Sequence, residues 1–437
     1  MSGNDGVVSR RGFIRTAVRT GAAVGGLTLL GSTAKGQGKI FKVALIGCGG
    51  RGSGALAQHV EAARILNKAL DLGIEVKVVA TADYFARKAE NTGARYDVPK
   101  ERCFGGPDSY KKVAETDADI VLQATSPNFR PLHLETFVEA GKHVFMEKPA
   151  AVDPPGCRRI IAAGEAAKKK GLLIVAGTQR RHEQGYNQRA AMIKEGAFGK
   201  ILGGRVSWCM GFIGWSARDL IKPKNAGDLV RTWPNWVALC GDHICEQHVH
   251  NLDIANWFLG RPPKSCAGFG GSARRAAGDM FDFFSLDLDY GDGVHIHSMC
   301  RQIAGCWDWV GEDFVYEKSP PAGFKLQNPV PYSEIPQKNE KGQEFGGHMQ
   351  EHINLLYYLA KGKELNEARS VAEATAVAVM GRISACTGQD VAWADMMGDP
   401  KKKPELYDLT CRPTAEELEK GDFEMPKERV FAIPGKA

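Results

Sequence analysis

The sequence lacks the features that mark disulfide-stabilised and polytopic membrane proteins. Its 11 cysteines are an odd number, lie far apart and include no C-x-x-C pair. They are therefore expected to be mostly small buried side chains rather than a disulfide framework. Beyond residue 39 there is no uncharged apolar run of the roughly 18 or more residues that a membrane-spanning helix needs. The 51 glycines follow no triplet period, which excludes a collagen-like chain, and no internal repeat is found.

A strong excess of charge is also missing once the chain is divided. The net charge is +6, but residues 1–39 hold six basic residues and one acidic residue, which leaves only +1 for the rest. An electrostatic nucleic-acid binder is therefore not expected. At 437 residues the chain exceeds the usual domain size of about 100–200 residues, so at least two domains are predicted.

The first 39 residues have the pattern of an export signal. Arg10 and Arg11 precede an apolar stretch over residues 21–31 and small residues at 32–34. The paired arginines, with Phe13 close behind, resemble a twin-arginine signal, whose substrates cross the membrane folded and often with a cofactor inside. The protein is thus expected in the periplasm or at the outer face of the cytoplasmic membrane, with no stable membrane span after signal removal. The alternative is a basic disordered tail.

A glycine-rich loop follows the first apolar strand. Residues 41–46 predict a strand, and a helix is predicted from Ser53 to about Leu72. Between them stands G-x-G-x-x-G, in which the first glycine makes the tight turn, the second admits a pyrophosphate and the third allows close helix–strand packing. The helix N-terminus then faces the phosphates. The predicted cofactor-binding loop comprises Gly47, Gly49, Gly50, Arg51 and Gly52.

An acidic residue at the end of the second predicted strand favours NAD as the cofactor. Asp83 follows the strand over residues 75–80, where a carboxylate can bind both ribose hydroxyls and repel a 2′-phosphate. It lies 31 residues after Gly52, which is further than the usual spacing of about 20. Arg87 nearby leaves NADP open as a second choice. The alternative role for Asp83 is a helix N-cap.

Further strands and helices alternate up to residue 149. A buried strand over residues 119–125 is broken by Ser126-Pro127-Asn128, and a strand over residues 142–146 ends in Glu147-Lys148-Pro149. This alternation predicts an α/β fold with a doubly wound parallel sheet, the Rossmann arrangement.

These motifs resemble the Gfo/Idh/MocA oxidoreductase family over about residues 40–390. The resemblance rests on Gly47–Gly52, on the 124–128 segment with His133, and on residues 140–144 leading into Glu147-Lys148-Pro149. It implies a C-terminal α/β domain with a large, open, mainly antiparallel sheet, and a homo-oligomer, dimer or tetramer, formed through that sheet. It also implies additional cofactor-binding residues, namely Thr125, Pro127, Asn128, His133, Glu147 and Lys148.

The predicted domain organisation follows from these patterns. Residues 1–39 are the signal, residues 40–150 the NAD(P)-binding Rossmann domain, residues 151–390 the substrate and oligomerisation domain, and residues 391–437 a C-terminal tail. Strands with period-two alternation over residues 201–208, 281–290 and 294–299 agree with the implied second sheet, and Gly291-Asp292-Gly293 predicts a hairpin turn. The part of the tail from Asp399 to Ala437 is charged and proline-rich, and it is expected to lie over the surface. The second of the helices predicted within residues 350–388 is expected to pack on the Rossmann half.

Lys148 is the first candidate catalytic residue. Ligands of open α/β sheets bind at the carboxyl ends of the strands, where Lys148 is predicted to lie. A lysine close to the nicotinamide ring could exchange a proton with a substrate alcohol, and the family resemblance assigns this residue to catalysis. The alternative is a solvated charge at a strand end.

A histidine-rich segment, residues 241–257, supplies the second group of candidates. Read as one helix, it places His243, Glu246, Gln247, His250 and Asp253 on a common polar face. The family pattern has an acid and a histidine four residues later lining the substrate pocket, so Glu246 and His250 are assigned to catalysis, and His243 and Asp253 to substrate binding. Glu246 departs from the usual Asp. Two alternatives stay open, a zinc site using His243, Cys245, Glu246, His248 and His250, and a purely structural cluster. No metal is predicted.

The loop after the strand over residues 172–176 resembles the family's site-lining loop. Arg180, Arg181 and Tyr186 are candidate substrate contacts, with surface charge as the alternative. Trp307 and Trp309 could form a sugar-stacking edge, although aromatic core is the preferred interpretation.

The predicted function is NAD(P)-dependent hydride transfer at a secondary alcohol of a sugar, cyclitol or related polyol. Because free NAD should be absent outside the cytoplasm, an exported enzyme of this kind is expected to hold its cofactor tightly. One alternative is an NAD-dependent glycoside hydrolase acting by oxidation, elimination and reduction. The second alternative is a non-catalytic carbohydrate-binding protein.

Overall fold

The computed structural model describes residues 39–211, 222–398, 410–428, 430 and 434–435. The predicted export signal lies outside these residues, except for Lys39 at its end. Two sheets with their flanking helices account for most of the described chain.

The first sheet has six strands, all parallel, with nearly every central side chain buried. The strand order is β3-β2-β1-β4-β5-β6, the order of a dinucleotide-binding sheet. Its strands are β1 (Lys39–Ile46), β2 (Ile74–Asp83), β3 (Cys103–Gly105), β4 (Ile120–Gln123), β5 (His143–Met146) and β6 (Ile174–Ala176). The connecting helices are α1 (Gly50–Leu70), α2 (Ala86–Gly93), α3 (Ser109–Ala114), α4 (Arg130–Glu139) and α5 (Pro154–Lys169). The predicted doubly wound parallel sheet is confirmed.

The second sheet also has six strands and is mainly antiparallel. Only β7 and β10 pair in parallel, within the order β11-β7-β10-β9-β8-β12. Its strands are β7 (Ile201–Met210), β8 (Ser265–Gly271), β9 (Phe283–Asp289), β10 (His295–Gln302), β11 (Trp309–Tyr316) and β12 (Val391–Ala392). The turn between β9 and β10 is the predicted glycine hairpin, and Gly291, Asp292 and Gly293 all adopt positive φ. The open, mainly antiparallel sheet is confirmed.

Helices of the second half cover one face of this sheet and also reach back to the first sheet. They are α6 (Gln184–Lys194), α7 (Ala226–Arg231), α8 (Val237–Cys240), α9 (Val249–Leu259), α10 (Gly347–Lys361), α11 (Ala368–Thr387), α12 (Trp393–Met397) and α13 (Ala415–Lys420). The first turns of α11 pack into the core of the Rossmann sheet, and its later turns pack against the second sheet. The expected return of this helix to the Rossmann half is thus correct for its first turns. The predicted domain boundaries at residues 150 and 390 stay predictions.

The C-terminal segment packs more closely than its composition suggests. Val391 and Ala392 add a strand to the second sheet. Ala415 and Leu418 are buried in a cluster with Phe129 and Trp236. The expectation that the segment from Asp399 to Ala437 lies over the surface is therefore wrong for Ala415 and Leu418, because a few apolar side chains in a charged segment are enough to anchor it.

The cysteines are free, as their spacing indicates. Seven are buried, three are partly buried, and Cys306 is exposed. Among the helices that the structure describes, none is long and apolar enough to cross a membrane.

We predict that Leu356→Ala lowers the melting temperature of the protein clearly. Leu356 on α10 is fully buried against α1, in a cluster that includes Leu56 and Leu66. Removing such a side chain typically costs about 2–5 kcal/mol. Leu202→Ala, at a position that is 51% exposed, is the matched control and should change the melting temperature little. Equal melting temperatures of the two variants would show that α10 contributes little to the stability of the Rossmann half.

Candidate active site

The glycine-rich loop has the geometry that its motif predicts. Gly47 ends β1 with a φ of +95°, a conformation that favours glycine. A Cβ atom at Gly52 would collide with the carbonyl oxygen of Gly47, so the third glycine is needed for close packing. At Gly49 and Gly50 a Cβ atom would meet nothing within 4 Å. Open space therefore lies beside the loop at the start of α1, where backbone N–H groups can bind phosphate.

Asp83 lies at the end of β2, beside this loop. Its carboxylate accepts hydrogen bonds from the N–H groups of Cys48 (2.8 Å) and Phe85 (2.9 Å). Burial raises the pKa of Asp83, while these hydrogen bonds and the charge of Lys88 act in the opposite direction. The alternative role as helix N-cap is wrong, because the N-cap residue of α2 is Phe85.

A cavity of about 100 Å³ adjoins Asp83 and contains part of the predicted cofactor set. Gly47, Gly49, Asp83, Thr125 and His133 line it, and His133 stacks on Tyr110 with ring centroids 4.4 Å apart. Within the described part of the chain, Thr125 Oγ1 and Asn128 Nδ2 are buried without a hydrogen-bond partner. Unpaired buried polar groups call for a ligand or water. Together with the open glycine loop they fit a bound dinucleotide.

Arg51 connects the glycine-rich loop with two buried carboxylates. Its guanidinium pairs with Glu147, directly after β5, and with Glu351 on α10 at 2.9 Å. Burial opposes the ionisation of Glu147, but Arg51 holds the pKa of that carboxyl below its usual value. Burial and the charge of Glu147 raise the pKa of Glu351. Arg51 thus fixes the loop against the end of β5.

Lys148 and Glu246 meet at the carboxyl end of β5. The ammonium group of Lys148 donates a hydrogen bond to the backbone carbonyl of Glu246 and lies 3.8 Å from Glu246 Oε1. Both side chains are only slightly exposed, at 13% and 11%. Burial raises the pKa of Glu246, while Lys148 and Arg130 lower it. The structure therefore brings together the predicted lysine and the predicted acid.

The histidine-rich segment is not one regular α-helix. Residues Ile244–His248 form a π-helical turn that leads into α9. The regular helix assumed for the common polar face is therefore wrong over these residues. The fully buried ring of His243 lies 3.0 Å from Asp242 Oδ1 and packs on Phe284. Whether His243 also contacts substrate stays a prediction.

His250 lies in the site as a neutral imidazole. The ring stacks on Trp208 of β7 with centroids 5.7 Å apart. Burial lowers the pKa of His250 well below its usual value, and the charges of Lys148 and Arg180 lower it further. A neutral imidazole can accept a proton.

The two predicted arginines are paired and largely buried, which excludes the surface-charge alternative. Arg181 makes a bidentate pair with Asp253, with nitrogen–oxygen distances of 2.8 Å. Arg180 pairs with Glu312 of β11, and Tyr186 donates a hydrogen bond to the same carboxylate at 3.0 Å. Asp253 thus orients an arginine of the loop, and whether it also contacts substrate stays a prediction.

Several residues of the site could not be recognised in the sequence. Glu312 also accepts a hydrogen bond from Asn251 at 2.6 Å and so joins α9, β11 and the arginine loop. The guanidinium of Arg130 donates to the carbonyl oxygens of Thr125 and Pro149, which fixes both loops. No local motif marks these residues, because long-range packing brings them into the site. Trp208 and Glu351 were missed for the same reason.

The donors of the possible zinc site are spread apart. His248 bonds to Ser298 at 2.8 Å, His243 faces Asp242, and His250 stacks on Trp208. In the ranges that the structure describes, no three His, Cys, Asp or Glu side chains come close enough to hold a metal ion.

A parallel nucleotide-binding sheet, its glycine loop and a lysine–acid–histidine group at the domain junction define the class of NAD-binding oxidoreductases. Comparison with family models agrees, and residues 41–177 match the oxidoreductase family with an NAD-binding Rossmann fold. Residues 186–308 match the Gfo/Idh/MocA C-terminal domain. The chain belongs to the Gfo/Idh/MocA oxidoreductase family.

Individual relatives have low sequence identity to this chain and match only part of it. An inositol 2-dehydrogenase of Rhodococcus jostii is 34% identical over 162 residues, which is 37% of this chain and 40% of the relative. A Burkholderia cenocepacia inositol 2-dehydrogenase is 27% identical over 260 residues, 59% of this chain and 66% of the relative. The matches thus cover less than two thirds of either relative. A solved levoglucosan dehydrogenase with NADH and levoglucosan shares the fold, with a TM-score of 0.62 at 16% identity, and covers 81% of this chain and 99% of its own.

We predict that Lys148→Ala leaves NAD binding nearly intact and lowers turnover by about 100-fold or more. General acid–base assistance is typically worth about 10²–10⁴ in rate. Lys142→Ala, at the other end of β5, is the matched control and should retain turnover. A loss of only a few-fold in Lys148→Ala would make Lys148 structural.

We predict that Asp83→Ala weakens NAD binding and lowers the ratio of the affinity for NAD to the affinity for NADP. The substitution removes hydrogen-bond acceptors for the ribose and the negative charge that opposes a 2′-phosphate. Titrations with NAD and NADP measure the two affinities. Asp83→Asn keeps one hydrogen-bond acceptor, so its affinities should lie between those of the wild-type protein and those of Asp83→Ala. Unchanged affinities for both cofactors would show that Asp83 only accepts hydrogen bonds from the backbone and does not contribute to cofactor binding.

Proposed function

We propose that this protein oxidises a secondary alcohol of a sugar, cyclitol or related polyol with NAD as the hydride acceptor. The observation that carries the proposal is the position of Lys148. It follows β5 in the Rossmann sheet, beside the glycine-rich loop, and it touches Glu246 of the second domain. The carboxyl end of the parallel strands is where such folds place their ligands.

The proton chemistry belongs to Lys148 and His250. Oxidation of an alcohol releases a hydride from carbon and a proton from oxygen. Bound NAD would take the hydride, the neutral imidazole of His250 can accept the proton, and the Lys148 side chain can exchange protons with the substrate oxygen. Glu246 orients Lys148, because its carbonyl and carboxyl oxygens both lie beside the ammonium group.

Charge pairing in the site favours an uncharged substrate. Lys148, Arg180 and Arg181 each lie beside a carboxylate of this chain. A substrate carboxylate or phosphate would have to displace one of these partners, whereas hydroxyl groups can bind to the paired groups without a change of net charge. An open cleft of about 750 Å³ adjoins Tyr186 and Glu312, next to the site but not lined by Lys148 or His250.

The names of the relatives point to the same substrate class. The curated relatives act on inositol, and the structural neighbour was solved with levoglucosan, so both ligand names denote polyhydroxylated rings. The particular substrate of this chain is not assigned.

Export, tight cofactor retention and oligomerisation complete the proposal. The twin-arginine pattern supports passage of the folded, loaded protein to the periplasm or to the outer face of the cytoplasmic membrane. Phe269, Trp307 and Val315, on or beside strands of the second sheet, are each more than half exposed. Such apolar side chains support a homo-oligomer formed through this sheet.

The direct test is the near-ultraviolet absorbance of reduced nicotinamide in the purified protein. Addition of inositols, levoglucosan and simple glycosides should raise this signal with the true substrate, because hydride moves to the cofactor. A signal that rises and then recovers, with cleavage of a glycoside, would support the glycoside hydrolase alternative instead. Failure of the protein to bind any nicotinamide cofactor would refute both enzymatic functions and leave the carbohydrate-binding alternative.

We predict that dialysis against a strong chelator leaves the activity intact. The proposed proton transfer uses Lys148 and His250, and the neighbouring histidines face separate partners. Elemental analysis of the active protein should find less than stoichiometric zinc. Stoichiometric zinc, with activity lost on chelation and restored by zinc alone, would overturn the role of His250 as proton acceptor.

A further inference from the structure

The cavity beside Asp83 is lined in part by residues from outside the first sheet. Besides the Rossmann residues, Val230 at the end of α7 and Trp233 in the following short helix line it. In a Rossmann fold the acid at the end of the second strand marks the adenosine end of the dinucleotide site. Trp233 and Val230 therefore face the adenosine end, about 150 residues later in the chain than Asp83.

The segment that carries Trp233 is held firmly on both sides. Before it, the side chain of Asn225 caps α7 by accepting a hydrogen bond from the Asp228 N–H at 2.9 Å. After it, the indole of Trp236 donates to Thr232 at 3.1 Å, and the Val237 N–H donates to Asp279 at 2.7 Å. These contacts make the segment a fixed wall rather than a loose loop.

Apolar packing attaches the same wall to the Rossmann half. The fully buried residues Leu229, Trp236 and Leu239 pack in one cluster with Phe129, which itself lines the cavity. Phe85, directly after β2 and its turn, has the guanidinium of Arg231 5.0 Å from its ring centroid. The wall thus contacts both loops that border the adenosine end.

The C-terminal helix α13 braces this arrangement from outside. Its Leu418 joins the same apolar cluster. Glu419 accepts a hydrogen bond from Tyr110 at 2.9 Å, and Tyr110 stacks on the cavity residue His133. Glu416 pairs with Arg159 of α5 at 3.0 Å. Helix α13 thus contacts the apolar cluster of the wall on one side and Tyr110 and α5 of the Rossmann half on the other.

We propose that residues 226–236, braced by α13, form a cover over the adenosine end that slows the release of bound NAD, with Trp233 as its contact face. A dinucleotide held beneath a fixed wall can leave only after that wall moves, so the cover acts chiefly on the dissociation rate. The proposal rests on NAD binding by this family and not on the identity of the substrate. It gives a physical basis for tight cofactor retention.

The test is the rate at which NAD leaves Trp233→Ala. Full-length protein loaded with NAD is mixed with excess ADP-ribose as competitor, and release is followed by the appearance of free NAD. We expect release to accelerate about tenfold or more, since loss of a base–aromatic contact typically has this size. The affinity for ADP, measured by calorimetry, should fall as well, because ADP occupies only the adenosine end. Trp233→Phe keeps an aromatic ring, so its NAD release rate and its affinity for ADP should be close to those of the wild-type protein.

The control is Leu202→Ala, which removes an exposed apolar side chain of the second sheet and should leave both quantities unchanged. Should Trp233→Ala fail to fold, Val230→Ala removes the other wall contact and should also speed release. Folded variants at both positions with wild-type release rates would overturn the proposal. Because these are binding measurements, their outcome is independent of whether any alcohol is oxidised.

Discussion

The compensation of one buried carboxylate, Glu147, determines how the site is assembled. Glu147 is almost fully buried directly after β5, where an unpaired charge would be strongly destabilising. Arg51 neutralises it from the glycine-rich loop and reaches Glu351 on α10 with the same guanidinium. Burial and the charge of Glu147 raise the pKa of Glu351, which favours its neutral form beside the same guanidinium. These contacts therefore fix three elements together, namely the glycine-rich loop, the end of β5 next to Lys148, and helix α10.

The second half of the chain supplies the groups that meet this fixed strand end. The π-helical turn before α9 presents the carbonyl and carboxyl oxygens of Glu246 to Lys148. Such turns are uncommon and occur frequently at functional sites. Arg382 of α11 holds the start of this segment by donating to Gly241 O at 2.8 Å and to Val152 O at 2.9 Å. The irregular turn is thus supported by a buried cation that bridges both halves.

The features that could be predicted from the sequence are those in which a local pattern is physically sufficient. A strand followed by G-x-G-x-x-G leaves few alternatives, because Gly47 and Gly52 have steric requirements that other residues fail to meet. The π-helical turn before α9 could not be predicted, since the polar residues of this segment recur at the spacing of a regular α-helix. Glu312 lies in an ordinary strand pattern, and only the approach of Arg180 gives it a role. The positions of the Trp233 wall and of α13 could not be predicted, because the role of a short apolar segment depends on the residues that it packs against in the folded protein.

Cofactor retention and catalysis depend on the same junction between the two halves. Near its start, α11 buries Val371 and Ala372 in the core of the Rossmann sheet, and further along it buries Ala376 and Met380 against the second sheet. Between them, Thr375 accepts a hydrogen bond from the Ala150 N–H at 3.1 Å, two residues beyond Lys148. Alanine-rich turns allow backbones to approach closely, so a hinge at this point would expose well-packed surface on both sides. The wall over the adenosine end and the acid beside Lys148 both come from the second half, and the junction holds each in register with the Rossmann loops. A substitution that loosens the packing of α11 is therefore expected to affect both cofactor release and proton transfer. This is expected although the residues of α11 contact neither the wall over the adenosine end nor Lys148.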